Sequence, residues 1–257
     1  MKTYLLSLSA ERQKTRHSTA TWFVWVGGLF VPFILLLVQT FYPDQFSPNA
    51  LGEHYWNSLF KRNWQSMSVL LVPCGIVMAT ALVMQLEHRN HSWKQVYAAP
   101  QSLWVLFAAK WSTVMSLMLQ FFVIHFIGML LVAYLPGCWS SAGFPPFPPI
   151  DKLLYFTGQF FIASLPLFAF QFFMAMRFRN ILVSIGVGMA MVLASIFAMS
   201  WEYSYAWPFC HLALTYAQIT GEIVLQTQVP LWAMSLLWFG GISLLHLLLY
   251  LAQKERG

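Results

Sequence analysis

Apolar positions cluster along this 257-residue chain into six runs, approximately 21–42, 66–86, 112–135, 153–175, 181–201 and 230–251. Each is about twenty residues long, enough at 1.5 Å per residue to cross about 30 Å of hydrocarbon. The pattern predicts six transmembrane helices. The segments between them are too short for a soluble catalytic domain, so the expectation is one all-α integral membrane domain over residues 1–257. Residues 1–20 are polar and basic, and the run that follows lacks a small-residue cleavage site. They do not read as a signal peptide.

Shorter patterns lie between the runs. Residues 3–18 place Leu5, Leu6 and Leu8 beside Glu11, Arg12, Lys14 and Arg16; an amphipathic elbow helix on the inner leaflet and a basic tail without structure both fit. The loop 43–65 is long and mixed. Four prolines in "GFPPFPPI" forbid a helix there and favour a stiff strap, a connector or a recognition surface. Residues 202–229 are too apolar for a solvated loop and too broken, at Pro208 and Gly221, for a seventh span. Re-entrant or interfacial helices on the outer face satisfy both facts.

The connector at 86–111 is more elaborate than a hairpin requires. Ser92 and Gln95 have capping-box spacing, and Trp93, Val96 and Tyr97 fall at i, i+3 and i+4, one apolar face of about two turns. Pro100 ends that helix, and Ser102 can cap the next, which carries Leu103 to Lys110 toward the membrane. The exposed face suits a groove on another protein or the lipid surface, and periodicity leaves both open.

Composition agrees with a membrane location: 59% of residues are hydrophobic and 9% charged, against roughly 25% charged in a soluble domain, and mean hydropathy is +0.62. Lys and Arg divide unevenly between the two sides. Lys2, Arg12, Lys14, Arg16, Arg89, Lys94, Lys110, Arg177, Arg179, Lys254 and Arg256 fall on one side, and Lys61, Arg62 and Lys152 on the other. Eleven against three predicts cytoplasmic termini and a cytoplasmic 86–111 connector in a plasma (inner) membrane. The net charge of +6 is then juxtamembrane charge, with no case for nucleic acid. Trp22, Trp64, Trp111, Trp139, Trp201 and Trp232 fall near span ends, as headgroup-level indoles do.

Candidate chemistry is sparse. All eight carboxylates (Glu11, Asp44, Glu53, Glu87, Asp151, Glu202, Glu222 and Glu255) lie at or outside the span ends. Ion-driven transporters keep an ionisable group at membrane depth, so an external energy source is the simpler expectation. His125 and His246 lie at depth with Gln120, Gln159 and Gln171, where interhelical hydrogen bonding is the ordinary role. His88 and His91 lack a third ligand for a metal, and Cys74, Cys138 and Cys210 lack metal-ligand spacing; Cys138 and Cys210 share the outer side, where pairing is open. There is no G-x-x-x-x-G-K-[ST], G-x-S-x-G or H-E-x-x-H. Ser184 and Gly188 form a small-xxx-small pair, for packing within the chain or against a second one.

Glu87, Trp93-Lys94, Pro100 and Lys110, with "AERQKTRHS" at 10–18 and Val72-Pro73 early in span two, resemble the permease subunits of type-2 ABC transporters. The lantibiotic-immunity and related peptide-antibiotic transporters are the group most similar. "RNHS" stands where a small residue often precedes the Trp-Lys pair. The resemblance implies that the connector is a coupling helix seated in a cleft of a separate cytosolic ATPase. Trp93, Val96 and Tyr97 would pack into that cleft, with Pro100 ending the helix and Glu87, Lys94 and Lys110 fixing its register. It implies no cofactor in this chain, ATP and Mg bound by the partner, and a second permease chain as homo- or heterodimer. It also implies export or expulsion of a peptide antibiotic or similar amphipathic compound. Trp56, Trp64, Tyr203, Tyr205 and Trp207 suit contact with such a compound, and suit the headgroup region equally. A non-transporting scaffold or sensor coupled to an ATPase keeps every one of these features. A polytopic membrane enzyme would need convergent acid, base or metal groups that the sequence does not display.

Overall fold

The computed structural model describes residues 2–42, 53–89, 102–139, 144–223 and 229–252. Nine α-helices run through them, with no strand among the described residues: α1 (Lys2–Thr15), α2 (Thr19–Phe41), α3 (Glu53–Ser66), α4 (Val72–Arg89), α5 (Leu103–Tyr134), α6 (Ile150–Arg177), α7 (Ile181–Ala198), α8 (His211–Thr220) and α9 (Leu231–Ala252). Six stretches are long and apolar enough to cross a membrane: α2, α3 joined to α4, α5, α6, α7 and α9. α2 packs on α5, α4 on α6 and α7, and α9 along α6. With an even number of spans, α1 and the end of α9 lie at one face of the bundle, here the N-terminal face.

The second span is longer than its hydropathy predicts. Residues 53–65, which the sequence pattern places in a loop, are helical and continue through Ser66 into α4, so the apolar stretch runs His54–Leu86. Trp56, Leu59, Phe60, Asn63, Trp64 and Met67 are all buried, at the i, i+3, i+4, i+7 spacing of one helical face. Asn57, Lys61, Arg62 and Gln65 interrupt that face in sequence and lower the average. The join is a π turn, Met67–Leu71, in which Val72 N–H reaches back five residues to Met67 O. Pro73 follows at once; it has no N–H, and its ring crowds the carbonyl four residues earlier, so the widened turn accommodates it.

Spans one and three are held in register by a small knot. Pro32 inside α2 offers no N–H to the Gly28 carbonyl. His125 Nδ1 of α5 donates to that carbonyl at 3.1 Å. Glycine allows the approach: a Cβ on Gly28 would lie 3.2 Å from Phe121 O, and one on Gly128 would lie 2.9 Å from Pro32 Cγ. Beyond the knot the core is aromatic. Trp64 stacks on Phe160 with centroids 4.0 Å apart and meets the His125 ring edge-on. His246 is packed among Phe107, Phe172 and Phe173.

The small residues of α7 face inward. Gln171 Nε2 donates to Ser184 O and Ser184 Oγ, both at 3.1 Å. A Cβ on Gly188 would collide with Gln171 Oε1 and lie 2.9 Å from Val77 Cγ1. Of the two roles the sequence leaves open for this pair, packing within the chain is the one seen, with a buried glutamine and a valine filling its groove.

Candidate functional site

The connector peg, with Trp93, Lys94, Val96, Tyr97 and Pro100, lies outside the described residues. Its two supports are described. α4 ends at Arg89, with Glu87 in its last turn. α5 starts at Leu103 with Ser102 in the N-cap position, its backbone extended and its side chain making no cap bond. Lys110 sits two turns into α5.

Lys110 is 1% exposed, which a solvated docking lysine is not. Its ammonium donates to Glu11 Oε1 of α1 at 3.1 Å, and Lys14 donates to the same oxygen at 2.8 Å. The lysine expected to register an ATPase is instead turned into the chain. The pairing is a matter of helical face: Tyr4, Ser7, Glu11, Thr15 and Ser18 recur at three- and four-residue steps, so α1 presents a polar stripe to α5. Ser7, Glu11, Thr15 and Ser18 are buried, and Tyr4 OH shares a hydrogen bond of 2.9 Å with Ser112 Oγ. Leu5 and Leu6 are left exposed. The sequence pattern predicts an amphipathic elbow helix; α1 is consistent with it, its polar side docked on α5 and Leu5 and Leu6 exposed away from the bundle. Burial alone would push the Glu11 carboxyl up, but the two ammonium groups outweigh it and hold it below its ordinary value.

At the far face, the segment expected to be re-entrant or interfacial forms two 3-10 turns, Ser204–Ala206 and Pro208–Cys210, and then α8. Gly221 at φ 78° ends α8; Glu222 N–H bonds to Ala217 O and Gly221 N–H to Gln218 O, a Schellman cap that requires the left-handed residue. His211 is fully buried. Its Nε2 donates to Tyr205 O at 3.0 Å, and its Nδ1 shares a hydrogen bond of 2.8 Å with Ser235 Oγ of α9, whose hydroxyl also lies 3.0 Å from Leu231 O. Burial lowers its pKa to about 4 against the pull of the Tyr205 carbonyl. Cys210 Sγ donates to Ser195 O of α7 at 3.4 Å. Lys61 Nζ donates to Thr220 O at 3.1 Å, and Tyr216 OH to Lys61 O at 3.4 Å. One short segment is therefore tied to spans two, five and six.

The aromatic residues offered for substrate contact divide. Trp56 and Trp64 are each 1% exposed; Trp56 Nε1 donates to Pro146 O of the proline strap at 3.0 Å, and Trp64 sits in the core stack. Both are packing residues in this conformation. Tyr205 and Trp207 are half-buried, and Tyr205 continues a surface cluster with Tyr203 and Trp201. The indoles expected at headgroup level divide likewise: Trp22, Trp139, Trp201 and Trp232 are exposed, whereas Trp111 packs against Phe168 and Phe239. Cys138 is exposed and Cys210 buried, both free, and burial pushes the Cys210 thiol up to about 11. No sequence pattern marks Glu11, His211 or Ser235 as a fastening residue, because their partners are remote in the chain.

α1 is thus locked onto the start of the span that follows the connector. The model of the ABC-2 family transporter proteins matches residues 7–196, from within α1 to near the end of α7. The chain belongs to the ABC-2 transporter family. No curated protein and no solved structure matches it. As an ABC-2 permease subunit the chain is a multi-pass membrane component, and the family implies a partner ATPase. The far-face segment and α9 lie beyond the family match.

Proposed function

We propose that this ABC-2 permease subunit exports or expels a peptide antibiotic or a similar amphipathic compound and so protects the cell that makes it. Two cytosolic ATPase subunits bind ATP and Mg, and a second permease chain, identical or related, completes the transporter. The N-terminal face lies in the cytoplasm, on the side richer in Lys and Arg. The peg formed by Trp93, Val96 and Tyr97 seats in the ATPase, with Glu87, Lys94 and Pro100 setting its position. Lys110 acts one step behind the peg, passing its displacement to α1.

The observation that carries this reading is the buried Glu11–Lys110 contact. It joins α1 to α5 seven residues after α5 begins, so α5 cannot tilt at that end without carrying α1 and, through the turn at 16–18, span one. The outward Trp201, Tyr203 and Tyr205 cluster is the candidate surface for an amphipathic cargo.

The test is co-expression with a candidate ABC ATPase subunit. Wild type is expected to co-purify with the ATPase and to raise resistance to cationic amphipathic peptides. Trp93→Ala with Tyr97→Ala is expected to lose the ATPase or to leave hydrolysis without resistance. Full resistance in the double variant would overturn the peg assignment. ATPase binding with no resistance to any peptide would favour the scaffold or sensor reading.

A further inference from the structure

The turn between α1 and α2 opens onto a groove of about 400 Å³. Arg16 and His17 form its rim with Thr21 just inside, and Trp22, Trp25, Val26 and Leu29 form its wall. The wall residues fall at i, i+3, i+4 and i+7, one face of α2, and all four are exposed. Trp22 is 70% exposed and Val26 61%. At 1.5 Å per residue Leu29 lies about 12 Å along the helix from Thr21. Cation, hydroxyl, indole and aliphatic side chain therefore follow one another along the groove, in the order of headgroup, interface and acyl chain in a leaflet.

Two further observations set the sign of the headgroup. Among the described residues, Arg16 forms no ion pair with a carboxylate; the Glu11 carboxylate is taken by Lys14 and Lys110. Ser18, which precedes α2, turns its hydroxyl back to Thr15 O at 2.8 Å and makes no side-chain cap on the helix. Among the described residues, neither a side-chain cap nor an acidic residue in the first turn offsets the positive end of the α2 dipole beside Arg16.

We propose that this groove binds an anionic phospholipid, its phosphate against Arg16 and His17 and the start of one acyl chain along Trp22, Trp25, Val26 and Leu29. A free phosphate makes no use of an apolar wall. A zwitterionic headgroup brings its own ammonium toward the arginine. The site fixes the height of the α1–α2 turn in the leaflet, whatever cargo the transporter moves.

The purified full chain, equilibrated in equimolar phosphatidylcholine and phosphatidylglycerol and released for native mass spectrometry, gives the test. Wild type is expected to retain phosphatidylglycerol over phosphatidylcholine by about tenfold, the ratio that 1.4 kcal/mol of preference provides. Arg16→Gln with His17→Gln is expected to bring the ratio near one, and Trp22→Ala with Trp25→Ala to reduce retention of both lipids. Lys152→Gln, at the far face, is the control that leaves the ratio alone. A photoactivatable phosphatidylglycerol is expected to label residues 16–29, a readout that needs no variant. No enrichment in wild type, an unchanged ratio in the Arg16 and His17 variant, labelling elsewhere, or displacement of the lipid by inorganic phosphate would each overturn the site.

Discussion

At the N-terminal face the buried Glu11 carboxylate and Lys110 ammonium hold α1 to α5, with Lys14 of α1 itself adding an exposed ammonium to the same oxygen. At the far face a neutral imidazole, a thiol, a phenol and an exposed lysine hold the 202–223 segment to three spans. The energetics of the two fastenings differ in kind. Removing one partner of a buried ion pair leaves a charge less well compensated where little water reaches it, so the loss is large, typically about 3–5 kcal/mol. Neutral hydrogen bonds contribute about 0.5–1.5 kcal/mol each, and a segment held by several can come away bond by bond. The N-terminal fastening is therefore expected to fail at once, and the far one in steps.

The largest effect that would break this contrast is at the ion pair. Lys110→Met or Glu11→Gln is expected to destabilise the chain by about 3–5 kcal/mol and to release α1, seen as faster amide exchange over residues 2–15. The exchanged pair, Glu11→Lys with Lys110→Glu, is expected to recover some of the loss. Normal protection of α1 in both single variants would show that the charges do not hold it. Gly188→Leu comes next. Overpacking against Gln171 and Val77 is expected to cost about 1–3 kcal/mol, read as a lower Tm of the separated chain; an unchanged Tm with a lost oligomer would return Gly188 to an interface between chains.

His211→Phe probes the far face. It removes the bonds to Tyr205 and Ser235, and a loss of about 1–3 kcal/mol is expected, with faster exchange confined to 204–220 and α1 unaffected. Acid separates the two faces further. The His211 pKa is lowered in the fold, from 6.5 to about 4, so the unfolded or opened segment takes up a proton first. The stabilisation is complete above 6.5 and is lost as pH falls toward 4. Glu11 is also lowered, but from the carboxylate range, so its contribution is complete above about 4.5 and fades only below that. Between pH 6 and 5 the far segment is therefore expected to loosen while α1 stays docked, and His211→Asn is expected to abolish that step. The smallest effect belongs to Lys61→Met, whose bond to Thr220 O is exposed; less than about 1 kcal/mol separates it from wild type in chemical denaturation.

Much of the architecture is legible in the sequence because hydrocarbon imposes a simple length and polarity rule. All six spans follow from it, and so does the presence of helical turns in 202–223. Residues 53–65 escape it because an averaging window adds Lys61, Arg62 and Gln65 to Trp56, Phe60 and Trp64, although these lie on opposite sides of one helix. Lys110 stands out in the sequence, but a lysine near the start of a span reads as solvated until its carboxylate is found ninety-nine residues away. His211 offers less still: its partners lie six and twenty-four residues off, and nothing local marks a histidine as a clasp. Gly188 illustrates the opposite case, a motif that signals close packing whose partner no pattern could name.

The Pro32–Gly28–His125 knot has a mechanical consequence. A proline opens one rung of a helix and a histidine from the neighbouring helix occupies it, so spans one and three are indexed to each other like teeth in a rack. A slip of one turn, about 5.4 Å, would strand a carbonyl and an imidazole together in oil. With α1 clasped to the same span, these three helices are tied to one another, and relative displacement within the membrane would meet fewer such fastenings along the seams where α2 and α5 meet α4 and α6.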